Sequence, residues 1–334
     1  CSIYYPLQVF HWNIEKTINQ KQFYQQWVAP YTKKENRVFV IISDALRYES
    51  AAELRELILQ EDRYTATLNA VLGSLPSYTQ LGMASLLPHT TLTFEEENDI
   101  VYADGTSTQG TPNRIKVLQK TYPGSIAIGA EDFLKMKSNT EGREFIKPYN
   151  VIYIYSNHID KIGDDKTSEG KVFEATETEF DYMLRILKHI NNMNGYNMII
   201  TADHGYLYQH NRLDESDFTD FTPAGTLYKT SRRFVLGKNL APNTSVQKWE
   251  GKALGYADET EAQIPKSINR IRIQGAGSRF VHGGASLQEI VVPVLEIKKA
   301  RKSDIEQVEI DIISGTSNIT SNTFAVSFYQ KQPL

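Results

Sequence analysis

The sequence predicts a doubly wound α/β fold on a mostly parallel sheet, with an inserted cap region and the start of a C-terminal β segment. Three observations predict it. Apolar runs of strand length recur and stop at acidic or polar residues. Segments with helical spacing lie between them, and one stretch, 206–277, loses the rhythm. Continuous apolar runs suit strands buried on both faces of a parallel sheet, and strands alternating with helices wind that sheet on both sides.

Residues 1–36 are aromatic and mixed and form an N-terminal flanking segment, with a helix expected around Lys21–Ala29. Arg37-Val-Phe-Val-Ile-Ile-Ser-Asp44 is the first strand and ends on a carboxylate. Over residues 49–60, Ala51, Leu54, Leu57 and Ile58 recur at helical spacing. Pro76 forces a turn, and Gln80–Leu87 reads as a short helix. Gly124–Gly129 is a shorter strand. Asn150–Tyr155 is another, followed by a polar loop over Asn157–Asp165. A long helix over 168–192 places Phe173, Phe180, Leu184, Leu187 and Ile190 on one side. The strand Asn197–Thr201 runs into Ala202-Asp-His-Gly205. Residues 206–277 carry Pro, Gly and many charges and read as an inserted cap or loop region within a main unit spanning 37–300. Strands resume at Val291. Val308–Ile313 and Phe324–Tyr329 open a β segment over 301–334 that reads as truncated.

At 334 residues and 40% hydrophobic, the chain has ample material for a buried core. Its net charge of -4 supplies no global basic field to draw nucleic acid, although a local basic groove stays open. The only cysteine is Cys1, which excludes an internal disulfide and a Cys-rich zinc site and fits the reducing cytoplasm. No signal peptide is visible, and no apolar run reaches the roughly 18 residues of a membrane span. The sequence opens on Cys rather than Met, so it reads as a piece of a longer protein.

Three strands end in acids or an Asp-His pair: at Asp44, at the loop holding Asp160 and Asp164, and at Asp203-His204. The carboxyl ends of strands in an open α/β sheet form its ligand crevice. Acids gathered there repel one another unless cations sit between them. A divalent metal site follows, zinc for mixed Asp and His ligands or manganese where oxygen dominates. Each residue alone also has a plain structural reading. A strand-terminal Asp caps helices, and His282, in Phe280-Val-His-Gly-Gly284, fits a turn. Thr79 falls at the start of the short helix, where free N–H groups favour a phosphate and where a metal would turn the hydroxyl into a nucleophile. The competing reading is that Thr79 or Ser77 caps the helix.

Four segments carry a resemblance: Ser43-Asp-Ala-Leu-Arg-Tyr-Glu49, Leu75-Pro-Ser-Tyr-Thr-Gln-Leu-Gly-Met-Ala-Ser-Leu-Leu-Pro88, Thr201-Ala-Asp-His-Gly205 and Val281-His-Gly-Gly-Ala285. Together they resemble the motif series of PglZ domains, in the order and spacing of the alkaline phosphatase superfamily, over residues 36–298. The resemblance implies two divalent metal ions, Zn2+ first, with Mn2+ or Mg2+ as alternatives. It assigns Asp44, Asp203, His204 and the Thr79 oxygen to one metal, and Asp160, Asp164 and His282 to the other. Phosphodiesterase relatives read Asp-x-x-Gly-His in the middle motif. This chain reads Asp160-Lys-Ile-Gly-Asp164, so an aspartate replaces a histidine and His158 becomes a rival ligand. Thr79 is the implied nucleophile, with Ser77 and Ser74 as fallbacks because the stretch to the Leu-Leu-Pro turn is shorter than in nucleotide pyrophosphatases.

Sulfatase chemistry is disfavoured, since Ser74-Leu-Pro-Ser-Tyr78 has the Pro of a sulfatase motif but not its Arg. The implied activity is phosphoester hydrolysis, as a phosphodiesterase or nuclease in bacterial phage defence. Alternatives are a phosphomonoesterase, or a metal- or nucleotide-binding interaction module with little catalysis. Implied partners are a phosphoester substrate such as a nucleotide or DNA, and other proteins of the bacteriophage exclusion (BREX) system, including its DNA methyltransferase, with no membrane. Arg47, one turn after Asp44, is weighed between a phosphate oxygen and a surface salt bridge.

Overall fold

The computed structural model describes residues 11–61, 63–273, 279–300, 310–313 and 326–330. Val38–Ser43 (β1) is buried at every position, which is why its sequence shows no alternation. It sits inside a six-stranded sheet with Tyr64–Leu72 (β2), Ser125–Gly129 (β3), Val151–Ser156 (β4), Asn197–Thr201 (β5) and Val291–Lys299 (β6), in the order β2-β6-β5-β1-β4-β3. Strands β5, β1, β4 and β3 run parallel, while β6 is antiparallel to both β5 and β2. Sequence reading did not mark β2. Its inward positions alternate with Thr, and it forms an edge of the sheet.

Register decides what meets at the sheet's end. Ser43 pairs with Ser156, and Ile42 pairs with Thr201. Asp44, Asn157 and Ala202-Asp203 therefore leave three adjacent parallel strands at the same end, at the crevice of an α/β sheet.

Helices flank the sheet. Tyr48–Leu59 (α1) packs on β2 and β6, Gly110–Thr121 (α3) on β3, and Ala130–Lys135 (α4) on β3 and β4. Thr79–Ser85 (α2) begins at Thr79 itself. The loop expected over Asn157–Asp165 holds a short helix, His158–Gly163 (α5), which packs on Val172–Asn192 (α6). The buried stripe of α6 also differs from expectation. It runs through Val172, Ala175, Thr176, Glu179, Phe180, Met183, Ile186, Leu187 and Ile190, leaving Phe173 exposed. A reading keyed to large apolar residues skips the small and polar members of such a stripe.

The helix expected around Lys21–Ala29 is a chain of irregular turns: a 3-10 turn at Gln20–Gln22, a π turn at Tyr24–Val28 and an α turn at Ala29–Thr32. Phe23 and Val28 are fully buried in the main core. Within 206–277, Thr226–Thr230, Val235–Lys238, Glu261–Pro265 and Val246–Glu250 form an antiparallel sheet in that order. A small core of its own includes Phe221, Val235, Leu240, Val246 and Ile271. Ile310–Ile313 pairs antiparallel with Ser327–Gln330. Cys1 and the rest of the expected C-terminal strands lie outside the described residues. Among the described residues, no helix is long and apolar enough to cross a membrane.

Candidate active site

Asp203 shows how the site is assembled. Its Oδ1 accepts backbone N–H bonds from Ala45 (3.2 Å) and His204 (2.9 Å), so the two strand-end loops are stitched together through one carboxylate. Its Oδ2 is buried without a hydrogen-bond partner. Ala45, directly after Asp44, holds a left-handed φ of 66°, a strained conformation for a residue with a side chain and one that clusters at functional turns.

His204 is fully buried. Its Nδ1 lies 2.9 Å from the Gly205 carbonyl, an acceptor only, so Nδ1 carries the proton and Nε2 presents a lone pair. That lone pair faces Asp203 Oδ2 at 3.4 Å, Asp44 Oδ1 at 3.6 Å and Thr79 Oγ1 at 3.1 Å. Burial, and then the neighbouring His282, push the His204 pKa down to about 3, so it is neutral. A neutral nitrogen lone pair facing two carboxylate oxygens is repulsive without a cation between them.

A second group forms beside the first. His282 stacks on His204 with ring centroids 4.3 Å apart, and its Nε2 lies 3.8 Å from Asp160 Oδ1. Asp160 Oδ1 and His282 Nδ1 are also buried without hydrogen-bond partners, as is Asp44 Oδ1. Two clusters thus have metal-ligand spacing: Asp44, Asp203 and His204, and Asp160, His204 and His282. His204 belongs to both. Burial raises the pKa of Asp160, lifts that of Asp203 to about 6 and that of Asp44 well above the usual range, and neighbouring carboxylates add to the shift at Asp44. Unpartnered oxygens, a lone pair turned inward and carboxyls that resist ionisation together fit divalent cations, which would relieve all three.

The structure treats the remaining candidates unequally. Asp164 Oδ1 lies 4.0 Å from His282 Nε2, but its side chain is 68% exposed and it stands outside both clusters. His158 is engaged elsewhere, with Nδ1 2.7 Å from Glu179 Oε2. The Thr79 hydroxyl faces His204 rather than capping its helix, whose N-cap is Tyr78 with no side-chain cap. Ser77 Oγ donates to the Gly284 carbonyl and Ser74 Oγ pairs with Ser85 Oγ. Both serines are 2% exposed, so neither hydroxyl is available. Arg47 forms an ion pair with Glu49 and lies over the Tyr206 ring.

Sequence reading missed three supporting residues. Glu179 is a fully buried carboxylate that accepts from Ser43 Oγ (2.6 Å) and Ser156 Oγ (3.1 Å), tying together the ends of β1 and β4. Its signal was a Glu on the apolar stripe of α6. Glu289 accepts from Arg233 through both oxygens, from Gly284 N at 2.8 Å and from Ser286 N at 3.1 Å, which fixes the loop carrying His282. Its signal was the capping box Ser286-x-x-Glu289. Arg114 lines, with Asp44 and Thr79, a cleft of about 450 Å³ that also takes in Tyr155, Lys161 and Tyr182. It carried no motif.

The chain has relatives among known proteins. The family model described as the BREX system PglZ alkaline phosphatase-like domain matches residues 23–297. The chain is 44% identical over 338 residues to the alkaline phosphatase-like protein BrxZ of Escherichia coli O9:H4 (strain HS), an alignment covering 97% of this chain and 38% of that protein. It is 37% identical over 329 residues to the alkaline phosphatase-like protein PglZ of Bacillus cereus (strain H3081.97), again covering 97% and 38%. The chain therefore spans about 38% of the length of these relatives. Among solved structures, murine ectonucleotide pyrophosphatase/phosphodiesterase 5 superposes with a TM-score of 0.51 at 11% identity, covering 79% of this chain and 88% of that one. An inactive threonine-to-alanine form of the same murine protein, in complex with AMP, superposes equally well at 10% identity and the same coverage.

Proposed function

Because this chain belongs to the PglZ family of BREX-system alkaline phosphatase-like domains, we propose that it is a metal-dependent phosphoester hydrolase that cleaves phosphodiesters with Thr79 as nucleophile. One observation carries the reading: buried ligand atoms without hydrogen-bond partners converge around the His204 lone pair, 3.1 Å from a hydroxyl that does not cap its own helix.

Asp44, Asp203 and His204 would hold one cation, with Thr79 completing the set, and Asp160 and His282 the other, with Asp164 at its open edge. Bound divalent ions, Zn2+ or Mn2+ by donor type, would lower the pKa of the hydroxyl, neutralise phosphoryl charge and stabilise the leaving oxygen. The protein's own part is positional. The Asp203 bonds to Ala45 and His204 fix two ligand loops, and Glu289 fixes the third. The Thr79 proton passes to solvent before attack. Thr79 Oγ1 then bonds to phosphorus as the ester oxygen leaves, giving a phosphothreonine. Water attacks the same phosphorus in line, and Thr79 Oγ1 departs and regains a proton.

Diesters are favoured by a cleft larger than one phosphoryl group needs, and the murine neighbour of like fold is named a phosphodiesterase. A nucleotide or DNA strand in the bacterial cytoplasm fits this class, with the other BREX components, including the methyltransferase, as partners. With bis(p-nitrophenyl) phosphate and Zn2+ or Mn2+, Thr79→Ala is expected to lose at least about a thousandfold in kcat while keeping fold and metal content. Asp203→Ala is expected to lose metal as well. Full activity in Thr79→Ala would reject the nucleophile assignment. One feature favours a second reading, an interaction module that binds metal or nucleotide without turnover: the second cluster shares His204 with the first, and Asp164 is mostly exposed. Stoichiometric metal with no hydrolysis of mono- or diesters would select it.

A further inference from the structure

Arg114 is held by groups that leave most of its charge unused. Its Nε donates to the Thr108 carbonyl at 3.1 Å, and its guanidinium carbon lies 4.9 Å from the centre of the Tyr155 ring. Thr108 is fully buried, donates to the Val101 carbonyl at 2.8 Å and accepts from Gln80 Nε2 at 3.2 Å. Gln80 follows Thr79 on α2. The guanidinium is thereby fixed with respect to the nucleophile through two hydrogen bonds and one buried side chain. No carboxylate forms an ion pair with Arg114 among the described residues, whereas the neighbouring Asp132 is already paired with Lys135.

The cleft is too large for a phosphoryl group alone, at about 450 Å³. It extends from Asp44 and Thr79 past Arg114 to Lys161 and Tyr182. The cleft is also lined by the carboxylates of Asp44, Glu131 and Asp132, but none of them is ion-paired to Arg114 or Lys161 among the described residues. Both cations therefore stay open to an anion, and a pre-set guanidinium fork matches a phosphate better than a flexible ammonium does.

We propose that Arg114, with Lys161 nearby, binds a second phosphate of the substrate, so that the preferred substrate is a phosphodiester carrying a further phosphate group. This rests on the hydrolase reading above and deepens it. Two sources share the chemistry: a polynucleotide, whose next phosphate lies one nucleoside away, and a nucleoside polyphosphate, whose phosphates adjoin. Arg114 is a specificity residue here, set in place by Thr108 and Tyr155.

The test measures binding by calorimetry to the metal-loaded Thr79→Ala protein, so it does not depend on turnover. The probes are a thymidine dinucleotide with and without a terminal phosphate, and thymidine monophosphate against thymidine diphosphate. The added phosphate is expected to tighten binding roughly tenfold in at least one pair. Adding Arg114→Ala should remove most of that gain, and Arg114→Lys should keep part of it. Whichever pair shows the Arg114-dependent gain identifies the source. No gain in either pair, or an equal loss on all four probes in Arg114→Ala, overturns the subsite. Absence of turnover in the Thr79-containing protein, with the gain intact, would instead count against the hydrolase reading alone.

Discussion

Glu289 makes the case at the scale of one residue. It is fully buried, pairs with the equally buried Arg233 at 2.8 Å, and its pKa is lowered by that guanidinium and by hydrogen bonds despite its burial. The same carboxylate receives the backbone N–H groups of Gly284 and Ser286, two and four residues beyond His282. Removing it strands a buried guanidinium and frees the loop that carries His282. Glu289→Ala is expected to cost about 3–5 kcal/mol. Denaturant melts should show that loss, and metal titration a weaker second site. A loss below about 1 kcal/mol with unchanged metal binding would mean that the loop is held by other contacts.

At the scale of elements, α2 lies unusually close to the loop after β5. A Cβ on Gly82 would sit 2.2 Å from the Asp203 carbonyl oxygen and 2.7 Å from its carbonyl carbon. Neither backbone atom can yield cheaply, since Asp203 is tied to Ala45 and to Gln20, whose Nε2 donates to that same carbonyl at 2.7 Å. The glycine is what lets Thr79 reach His204. Gly82→Ala should destabilise by about 1–3 kcal/mol and reduce activity more than thermal stability alone explains. Activity assayed well below the melting temperature checks this. Wild-type turnover there would show that α2 can shift without misplacing its hydroxyl. A short helix was legible after the Pro76 turn, and Thr79 from its place at the helix start. The close approach was not legible, because a sequence does not state which backbone a glycine faces.

At the scale of the molecule, the site concentrates acids in a core that would be easier to form without their charges. Asp203, with a folded pKa of about 6, lies above the unfolded value of about 3.9, so folding favours its protonated form. Its contribution is fully present below pH about 4 and is lost as pH rises through about 6. Asp44 shifts in the same direction. His204 runs the other way: its folded pKa of about 3 lies below the unfolded value of about 6.5, so it destabilises the fold as pH falls between those values. Cations held there would compete with protons for the carboxylates. The rise in melting temperature on adding Zn2+ or Mn2+ to chelated protein should therefore be larger at pH 7.5 than at pH 5, as read by scanning calorimetry. An equal rise at both would argue against ligation through Asp44 and Asp203.

The sequence by itself determined the alternation of strands and helices, and with it the parallel core strands and the polar residues at their ends, because burial on both faces leaves unbroken apolar runs that need no partner to be read. It also placed Asp44, Thr79, Asp203, His204 and His282 in segments whose order resembles one superfamily. Only the tertiary structure decided that His204 serves both clusters, that Asp164 stands at the margin and that His158 belongs to Glu179. Strand register and loop closure set those distances across more than a hundred residues of chain, from Thr79 to His204 and from Asp160 to His282. Local spacing carries no record of which remote side chain a carboxylate will face. The supports Glu179, Glu289 and Arg114 stayed hidden for the same reason, since each acquires its role from partners on other elements.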